Sequence, residues 1–403
     1  MTMKPRILIL MHYMELGGAE SALLGLLQSV DPARADVDVF LYDHRGELMK
    51  YIPTDKVNLL PEVTAYKMIE RPFVECVKSG QLGVAFGRWL ASRTVDKSPV
   101  PEGKHDIRIF TRIADWVEHF VPNIQPDVEY DLAISFLMPH NYVIKKVKAK
   151  KKLGWIHTDY STVYVDVQRE LPVWGQLDYI ASISDEVGEK FVETFLALKD
   201  KIIPIENILS STFIRQRAEE DTISLGSNPS AIKLLTIGRY SPPKKMEEIP
   251  AICRRIVDAG IDVQWCIIGF GSTEIEQEVL DNAKQEGMSD RVRLLGKKEN
   301  PYPYIKACDI YVQPSRYEGK SITVREAQIL CKPVIVTNYP TASSQIHDGV
   351  DGIIVPMDVD ACAQEMVEFI RDKEKQKRIV TYLKEHDYGN EDEIEKIYQL
   401  VDA

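Results

Sequence analysis

Residues 310–327 read IYVQPSRYEGKSITVREA, a short apolar run followed by a glycine-containing turn and then a helical pattern. A strand, a turn and a helix start in this order bring several backbone N–H groups to one point, where the helix dipole favours an anion. Glu318 precedes the turn, and Glu326 lies more than one turn inside the helix if Ser321 begins it. The two carboxylates would then be about 10 Å apart. This is too far for a coupled acid–base pair, but it suits two ends of one ligand that carries vicinal hydroxyls.

The same alternation of short β-branched runs and longer amphipathic stretches continues through both halves of the chain. Such alternation is typical of parallel sheets with helical crossovers. In the first half the predicted strands are Arg6–Met11, Val37–Leu41, Leu132–Phe136, Leu153–His157 and Tyr179–Ser182. In the second half they are Lys233–Ile237, Gln264–Ile268, Val292–Leu294, Ile310–Gln313, Val334–Thr337 and Gly352–Val355. We therefore predict an α/β fold with two doubly wound sheets.

The predicted domain boundaries follow from length and composition. A chain of 403 residues is long enough for two or three domains. The polar stretch 210–231 predicts a linker between an N-terminal domain at 1–209 and a C-terminal domain at 232–387. Residues 388–403 predict a helix break and a last short helix that packs back on the N-terminal domain. Residues 64–121 show helical pattern without a convincing strand, which predicts a helical insertion in the first domain.

Composition excludes several classes of protein. Hydrophobic residues make up 44% and charged residues 28% of the chain, as in a soluble globular protein. The apolar run Ile7–Met11 is too short for the hydrophobic region of a signal peptide, so we interpret it as a buried first strand. The six cysteines form no C-x-x-C pair, which indicates neither a zinc site nor a disulfide framework and fits a cytoplasmic location. A net charge of −11 argues against a nucleic-acid partner.

The segment from Glu318 to Glu326 resembles the E-x7-E signature of family 4 of the retaining glycosyltransferases, a large family with the GT-B fold. The resemblance implies two Rossmann-like domains facing a central cleft. It also implies that Glu318 holds hydroxyls of the donor sugar and that Glu326 holds the ribose. The backbone amides implied to meet the sugar and diphosphate are those of Gly319, Lys320, Ser321 and Ile322. Many members have Gly-Phe-Gly where this chain has Gly-Lys-Ser, so the identity of the donor sugar stays open.

A second motif, GRYSPPKK at residues 238–245, follows a predicted strand. Two fixed cations at a strand end would stabilise the charge on a departing nucleoside diphosphate without a metal ion. The family's matching motif has an arginine, four intervening residues and a lysine, and Arg239 and Lys244 have this spacing. Family members often have glycine after the lysine, where this chain has Lys245. The resemblance therefore assigns Arg239 and Lys244 to the diphosphate, and we predict no catalytic metal.

His157 ends a predicted strand of the first half, and ligands of open α/β sheets bind at the carboxyl ends of strands. The resemblance implies that His157 forms a hydrogen bond with the donor sugar near the reaction centre and is not a nucleophile. A buried structural histidine is the alternative. Gly17 and Gly18 look like the glycine-rich first loop that closes over the diphosphate and acceptor. Gly269 follows another predicted strand, in a loop that adjoins the nucleotide in the family.

Other motifs fail on inspection. The triplet Gly319-Lys320-Ser321 ends like a Walker A loop, but that motif needs glycine at position 314, which is Pro314. Gly269-Phe270-Gly271 lacks the third glycine of a dinucleotide fingerprint. Two D-x-D triplets, at 36–38 and 358–360, do not end apolar strands, so we interpret both as solvated turns.

Clustered basic residues suggest a membrane surface. Residues 145–152 contain six lysines, and the helical insertion interleaves basic residues with aromatic ones. These are Lys67, Arg71, Lys78, Arg88, Arg93 and Lys97, beside Phe73, Phe86 and Trp89. Such a surface suits peripheral association with anionic lipid at the inner face of the plasma membrane. A solvated helix face is the alternative.

Together these features predict a metal-independent retaining glycosyltransferase. It would transfer a hexose or N-acetylhexosamine from a nucleotide sugar, expected to be a UDP-sugar from family frequency alone. The acceptor would be a glycan or an undecaprenyl-diphosphate-linked sugar, in the biosynthesis of capsule or another surface or exopolysaccharide. The sequence shows no carboxylate base beside His157, which fits retention with the leaving phosphate taking the acceptor proton. A non-catalytic GT-B partner or glycan-binding subunit and a nucleotide-sugar epimerase are the alternatives.

Overall fold

The computed structural model describes residues 4–226 and 228–402. The first three residues, Ser227 of the predicted linker and Ala403 of the predicted last helix lie outside the described residues. The chain divides into two compact units, Met1–Ile208 with Glu391–Ala403, and Leu209–Asn390. The predicted linker lies in the second unit, and part of it is the helix Ser211–Arg217 rather than a loop. Ser210 begins this helix, because its hydroxyl accepts a hydrogen bond from the Phe213 N–H at 3.3 Å.

The first unit is built on a parallel seven-stranded sheet with the order β3-β2-β1-β5-β6-β8-β9. Its strands are β1 (Arg6–Met11), β2 (Asp36–Leu41), β3 (Asn58–Leu59), β5 (Tyr130–Ser135), β6 (Ala149–Ile156), β8 (Tyr179–Ser182) and β9 (Ile202–Pro204). A separate two-stranded ladder pairs β4 (His105–Asp106) with β7 (Val163–Tyr164). The five predicted strands are confirmed. The four that the sequence did not predict have only two or three residues each, too few to show a period.

The helices of the first unit cover its sheet and form the insertion. They are α1 (Gly18–Gln28), α2 (Thr64–Lys67), α3 (Phe73–Lys78), α4 (Leu82–Thr94), α5 (Arg108–Val117), α6 (Asn141–Lys146), α7 (Val167–Trp174) and α8 (Asp185–Thr194). The predicted helical insertion contains α2 to α5 and also the two-residue strand β4. Helix α4 closely approaches α5 and the segment after it because Gly83 and Gly87 lack side chains. An added Cβ would lie 3.1 Å from Val117 of α5 at Gly87, and 2.8 Å from Phe120 at Gly83.

The second unit has a parallel six-stranded sheet with the order β12-β11-β10-β13-β14-β15. Its strands are β10 (Ile232–Ile237), β11 (Val263–Ile268), β12 (Val292–Gly296), β13 (Ile310–Gln313), β14 (Val334–Thr337) and β15 (Ile353–Val355). Its helices are α9 (Ser211–Arg217), α10 (Ile249–Asp258), α11 (Thr273–Gln285), α12 (Tyr302–Ala307), α13 (Ile322–Ile329), α14 (Ala342–Gln345), α15 (Val359–Arg371) and α16 (Lys373–Glu385). All six predicted strands are confirmed. A last helix, α17 (Ile394–Asp402), belongs to the first unit, where the Tyr398 hydroxyl accepts a hydrogen bond from the Asp31 N–H at 3.0 Å.

Helices cover both faces of the second sheet, so its strands are apolar on both sides. Successive residues of a strand point to opposite faces. Leu234 therefore packs into one hydrophobic cluster and Leu235 into the other. The strand order reverses between β10 and β13, and loops that follow the two strands at such a switch point form the ligand-binding crevice of a doubly wound sheet. The motifs at 238–245 and 314–327 follow these two strands.

The interpretation of Asp36-Val37-Asp38 as a solvated turn is wrong. These residues begin β2, and Asp38 is buried, accepting hydrogen bonds from the Tyr130 hydroxyl and the Asn58 amide, each at 2.7 Å. Asp358 is the N-cap of α15, where its carboxylate accepts hydrogen bonds from two backbone N–H groups. Both triplets therefore have structural roles.

Candidate active site

The most direct contact between the two motifs joins Lys244 and Glu318. The Lys244 ammonium lies 2.6 Å from both carboxylate oxygens of Glu318. Lys244 ends a 3-10 turn after β10, and Glu318 lies in the loop after β13. Arg316 holds the two loops together, because its backbone N–H donates to the Pro243 carbonyl at 2.7 Å and its guanidinium donates to the Pro242 carbonyl at 2.9 Å. The structure thus brings together two of the residues that the sequence assigned to one site.

Side chains at the end of β13 fix the Glu318 carboxylate, which is only 7% exposed. Oε1 accepts hydrogen bonds from the Ser315 hydroxyl at 2.6 Å and the Gln313 amide at 3.0 Å, in addition to Lys244. The Thr341 hydroxyl donates to the Glu318 carbonyl at 2.9 Å. Among the described residues, Oε2 accepts a hydrogen bond from Lys244, whereas Oε1 accepts three, so Oε2 keeps the greater capacity to accept hydrogen bonds from a ligand's hydroxyls.

Glu326 lies in α13 and is 4% exposed. Its Oε1 accepts a hydrogen bond from the Tyr302 hydroxyl at 3.0 Å. Burial raises the pKa of Glu326 to about 7, and the effects of Tyr302 and the nearby Arg217 guanidinium only partly oppose it. At neutral pH this carboxyl group therefore exchanges between a neutral and a charged form, and either form can accept a hydrogen bond from a hydroxyl.

The predicted helix start is confirmed, since Ser321 is the N-cap of α13. Its N–H, however, donates to the Gln345 side chain at 3.0 Å, and the same side chain donates to the Ser321 carbonyl at 2.6 Å. In the structure this N–H therefore bonds to another side chain of the protein, whereas the resemblance implied that it meets the sugar and diphosphate of the donor. Gly319, Lys320 and Ile322 are partly exposed beside it. Their assignment to the donor stays a prediction.

The loops after β10 and β11 pack backbone against backbone. A Cβ on Gly269 would lie 2.0 Å from the Gly238 carbonyl oxygen, which explains the glycine by close approach of the two chains. The Tyr240 N–H then donates to the Phe270 carbonyl at 2.9 Å. This packing places Arg239 at the surface, where its guanidinium has no hydrogen-bond or ion-pair partner among the residues that the structure describes. An unpaired guanidinium at a strand end is suited to phosphate.

His157, Gly17 and Gly18 belong to the first unit, at the carboxyl ends of β6 and β1. The His157 ring packs 4.5 Å from the Phe136 ring and 5.7 Å from the Trp155 ring, measured between centroids. Burial lowers the pKa of His157 to about 3, against smaller opposing contributions from hydrogen bonds with Phe136 and Asn207. The ring is therefore neutral at physiological pH. Its Nε2 is buried without a hydrogen-bond partner among the described residues. These properties suit hydrogen bonding rather than acid catalysis.

Gly17 is the N-cap of α1, and Gly18 is its first residue. Gly17 has φ −161°, an extended backbone that any residue can adopt. A Cβ there would meet only the end of the flexible Glu20 side chain, at 2.2 Å. The backbone therefore does not require glycine at this position, and its functional assignment stays a prediction.

Sequence reasoning missed the residues that position the two glutamates. Gln313 and Ser315 lie within the stretch 310–327, and they alternate along the strand end in a way that could have indicated them. Tyr302 and Gln345 come from helices before and after this stretch. Only the fold brings them to Glu326 and Ser321, so no local pattern could have found them.

Comparison with known proteins shows that the chain is similar to glycosyltransferases. Residues 218–386, almost all of the second unit, match the family model of "Glycosyl transferases group 1". The chain is 29% identical over 125 residues to an alpha-D-kanosaminyltransferase of Streptomyces kanamyceticus, covering 30% of this chain and 32% of that protein. It is 24% identical over 151 residues to the UDP-Gal:alpha-D-GlcNAc-diphosphoundecaprenol alpha-1,3-galactosyltransferase of Escherichia coli, covering 37% and 39%. The matched regions thus span about a third to two fifths of these relatives.

Solved structures resemble the whole chain. The Anabaena protein HepE in complex with UDP and glucose matches with a TM-score of 0.66 at 15% identity, covering 98% of this chain and 99% of that one. At this identity the likeness shows the fold alone, which is GT-B. The second unit therefore matches the group 1 glycosyltransferase model, and the chain has the GT-B fold.

Proposed function

We propose that this GT-B glycosyltransferase transfers a hexose or N-acetylhexosamine, with retention, from a UDP-sugar to a glycan or lipid-diphosphate-linked acceptor. The observation that carries the proposal is the Lys244–Glu318 pair at the switch point of the group 1 domain. At this point Lys244, which can bind a phosphate, contacts Glu318, which can accept hydrogen bonds from sugar hydroxyls. The proposed process is the synthesis of capsule or another surface or exopolysaccharide.

In the proposed reaction Lys244 and Arg239 stabilise the negative charge that develops on the leaving diphosphate. Glu318 accepts hydrogen bonds from hydroxyls of the donor sugar, and Glu326 accepts hydrogen bonds from the ribose. The bond between the anomeric carbon and the phosphate oxygen breaks as the acceptor oxygen bonds to the same face, and the leaving phosphate takes the acceptor proton. Neutral His157 donates or accepts a hydrogen bond at the sugar and transfers no proton.

The choice of donor and acceptor draws on the similar proteins. The name of the E. coli relative specifies UDP-Gal as donor and a diphosphoundecaprenol-linked acceptor. The Anabaena structure contains UDP and glucose. Both agree with a UDP-sugar donor, and the name of the E. coli relative also agrees with an acceptor that carries a lipid diphosphate.

The test is incubation of the purified protein with UDP-Glc, UDP-Gal, UDP-GlcNAc and UDP-GalNAc, followed by measurement of released UDP and of sugar products. The expected result is slow UDP release that an acceptor accelerates, with an α-linked product from the α-linked donor. A new sugar epimer without UDP release would support an epimerase instead, and UDP-sugar binding without turnover would support a binding subunit. Because we propose a reaction without metal, the rate should be the same with and without EDTA.

An aromatic surface on the insertion supports association with an anionic membrane. Eight of the thirteen exposed large hydrophobic side chains in the described residues lie in or beside α3, α4 and α5, so the apolar surface of the first unit is concentrated there. They are Phe73, Val74, Val77, Leu82, Phe86, Trp89, Phe110 and Phe120. The exposed Lys78, Arg93 and Lys97 lie near them in sequence, and the Arg93 guanidinium lies 5.3 Å from the Trp89 ring. None of the helices within residues 4–226 and 228–402 is long and apolar enough to cross a membrane.

The lysine run at 145–152 contributes less to this surface than the sequence suggested. Lys150 pairs with Asp131 at 2.7 Å, and Lys151 and Lys152 donate to the carbonyls of Leu400 and Ile144 at 2.9 and 2.7 Å. These lysines stabilise the start of β6. We therefore assign the lipid surface to the insertion alone.

Flotation with phosphatidylglycerol-containing vesicles tests this surface. We expect binding that weakens as salt is raised and that is lost in a double variant, Phe86→Ser with Trp89→Ser. Leu196→Ser is the control, because Leu196 is even more exposed than Phe86 and Trp89 but lies after α8, outside the insertion. Equal binding of all three proteins would contradict the assignment.

A further inference from the structure

A small pocket lies in the first unit, apart from all the residues assigned above. Its walls come from α5, from the segment that follows β5, and from α7. The strand order of this sheet reverses between β1 and β5, so the pocket lies beside a second topological switch point, where ligands of open sheets bind. The lining residues that matter here are Asp115, His140, Asn141, Glu170 and Trp174.

His140 presents an unprotonated ring nitrogen without a partner. Its Nδ1 lies 2.9 Å from the Ser135 hydroxyl oxygen, and that hydroxyl donates its own hydrogen to the Leu137 carbonyl at 3.1 Å. Nδ1 must therefore carry the proton, which leaves Nε2 with a lone pair. The residue is 2% exposed, and Nε2 has no hydrogen-bond partner among the described residues. Burial also lowers the pKa of His140 to about 3, so the ring stays neutral.

Glu170 is 3% exposed, and neither of its carboxyl oxygens has a hydrogen-bond partner of normal geometry in the described part of the chain. Burial raises the pKa of Glu170 to about 8, more than the Trp174 indole lowers it, so the carboxyl group carries a proton at neutral pH. The Asn141 amide, by contrast, already donates to Asp115 at 3.3 Å and to Glu118 at 2.9 Å. Buried polar groups without partners destabilise a fold, so His140 and Glu170 together indicate a missing ligand group.

The two side chains specify the chemistry of that group. It must donate a hydrogen bond to Nε2 of His140 and accept one from the carboxylic acid of Glu170. An ammonium group can only donate and a carboxylate can only accept, whereas a hydroxyl does both. The interior has room for about one water-sized group. A hydroxyl at the edge of a larger polar molecule, or a water molecule in its place, therefore fits.

Two further histidines lie near His140, outside the lining of the pocket. His12 follows β1 and His157 follows β6, and both are close enough to His140 to lower its pKa. Nε2 of each is likewise buried without a hydrogen-bond partner among the residues described. The segments that follow three neighbouring strands, β1, β5 and β6, thus carry imidazole groups with unused hydrogen-bonding capacity, which favours a polyhydroxylated ligand over an isolated water molecule.

We propose that His140 and Glu170 form a hydroxyl-binding subsite for the glycan acceptor. The identification of this ligand as the acceptor rests on the proposed function. The pocket's preference for a hydroxyl does not, because it follows from the tautomer of His140 and from the unpartnered carboxyl group.

Binding can be tested without any turnover. In protein labelled with ¹⁵N-histidine, the Nε2 resonance of His140 should shift on titration with methyl glucoside, methyl galactoside, methyl N-acetylglucosaminide or glycerol. The shift should disappear in Glu170→Met, which removes the carboxyl group and keeps the volume, and persist in Glu189→Met, which changes an exposed carboxylate on α8. No shift with any of the four probes would mean that the pocket holds a structural water only, and would overturn the proposal.

Kinetics and stability supply a second test. Glu170→Met should raise the KM for an octyl glycoside acceptor by about tenfold while the affinity for UDP stays unchanged. Its thermal midpoint should equal or exceed that of the wild type, because an unpartnered buried group is removed. A lower midpoint with an unchanged KM would show a structural role and overturn the proposal. If Glu170→Met does not fold, Glu170→Leu, which also removes the hydrogen-bonding group, serves in both tests. If the wild-type protein turns over no UDP-sugar, the proposed function is wrong, but the NMR result for the pocket is unaffected.

Discussion

The ammonium group of Lys244 lies 2.6 Å from each carboxylate oxygen of Glu318, so the two side chains neutralise each other when no ligand is bound. A nucleoside diphosphate without its sugar must compete with Glu318 for this ammonium group. A nucleotide sugar instead offers phosphate to Lys244 and hydroxyls to Glu318. In the proposed reaction the pair therefore favours the donor over the product.

We expect Glu318→Gln to lower turnover by about a hundredfold or more, because the sugar loses a charged hydrogen-bond acceptor. The same change should leave the affinity for UDP equal or higher, since Lys244 is released from its partner. Calorimetric titration of UDP together with steady-state rates would measure both effects. Glu365→Gln, an exposed change on α15, is the control. A variant that loses UDP affinity and turnover in parallel would contradict this role for the pair.

Lys244 and its neighbour Lys245 should respond differently to alanine. Lys245 is buried, lies 2.9 Å from the Glu248 carboxylate and donates to the Met357 carbonyl. It also has φ +57°, a left-handed conformation that costs a non-glycine residue about 1 kcal/mol. We expect Lys245→Ala to lower the free energy of unfolding by about 2 kcal/mol. Under conditions well below its unfolding midpoint, the variant should keep its turnover.

Lys244→Ala should reduce turnover by about a hundred- to a thousandfold, because it removes a group that stabilises the leaving diphosphate. Urea unfolding and initial rates on both variants would separate the two lysines. If Lys245→Ala abolished turnover in folded protein while Lys244→Ala did not, the assignment of the cation would be wrong.

Arg239 should matter for turnover and not for stability. Its guanidinium is exposed and has no partner in the described parts of the chain, so Arg239→Ala breaks no internal contact. We expect kcat/KM for the nucleotide sugar to fall by about a hundredfold, with an unchanged thermal midpoint. Arg254→Ala is the control, because it removes a partly exposed arginine of α10 that pairs with Asp258. An equal rate for wild type and Arg239→Ala would exclude Arg239 from the site.

Glu326 should destabilise the native state at high pH. Its pKa is raised from 4.5 to about 7 by burial, so the folded protein holds this proton more tightly than the unfolded chain. The stabilising effect of protonation is complete below about pH 4.5 and is lost as pH rises through 7. Glu326→Gln stays neutral and can still accept the Tyr302 hydrogen bond, so we expect it to be more stable than wild type at pH 8, by up to about 3 kcal/mol, and less so at pH 5.

The measurement is urea unfolding of Glu326→Gln and wild type at pH 5 and pH 8. Turnover should fall in the variant, because Glu326 is partly charged at neutral pH and a charged acceptor binds the ribose hydroxyls more strongly than an amide does. A difference in stability that does not change between the two pH values would contradict the raised pKa.

The sequence by itself determined the two sheets, since alternating apolar runs must be buried on both faces and local periodicity records that burial. It also determined the spacing of Arg239 and Lys244 and of Glu318 and Glu326, because each pair lies within one short segment. Only the tertiary structure decided what those residues contact. Lys244 pairs with Glu318, Tyr302 donates a hydrogen bond to Glu326, and the Gln345 side chain accepts one from the Ser321 N–H. These contacts form because strands distant in sequence are neighbours in the sheet. Hydrogen bonds and pKa values depend on distances of a few ångströms between such segments, and no pattern within a segment records those distances.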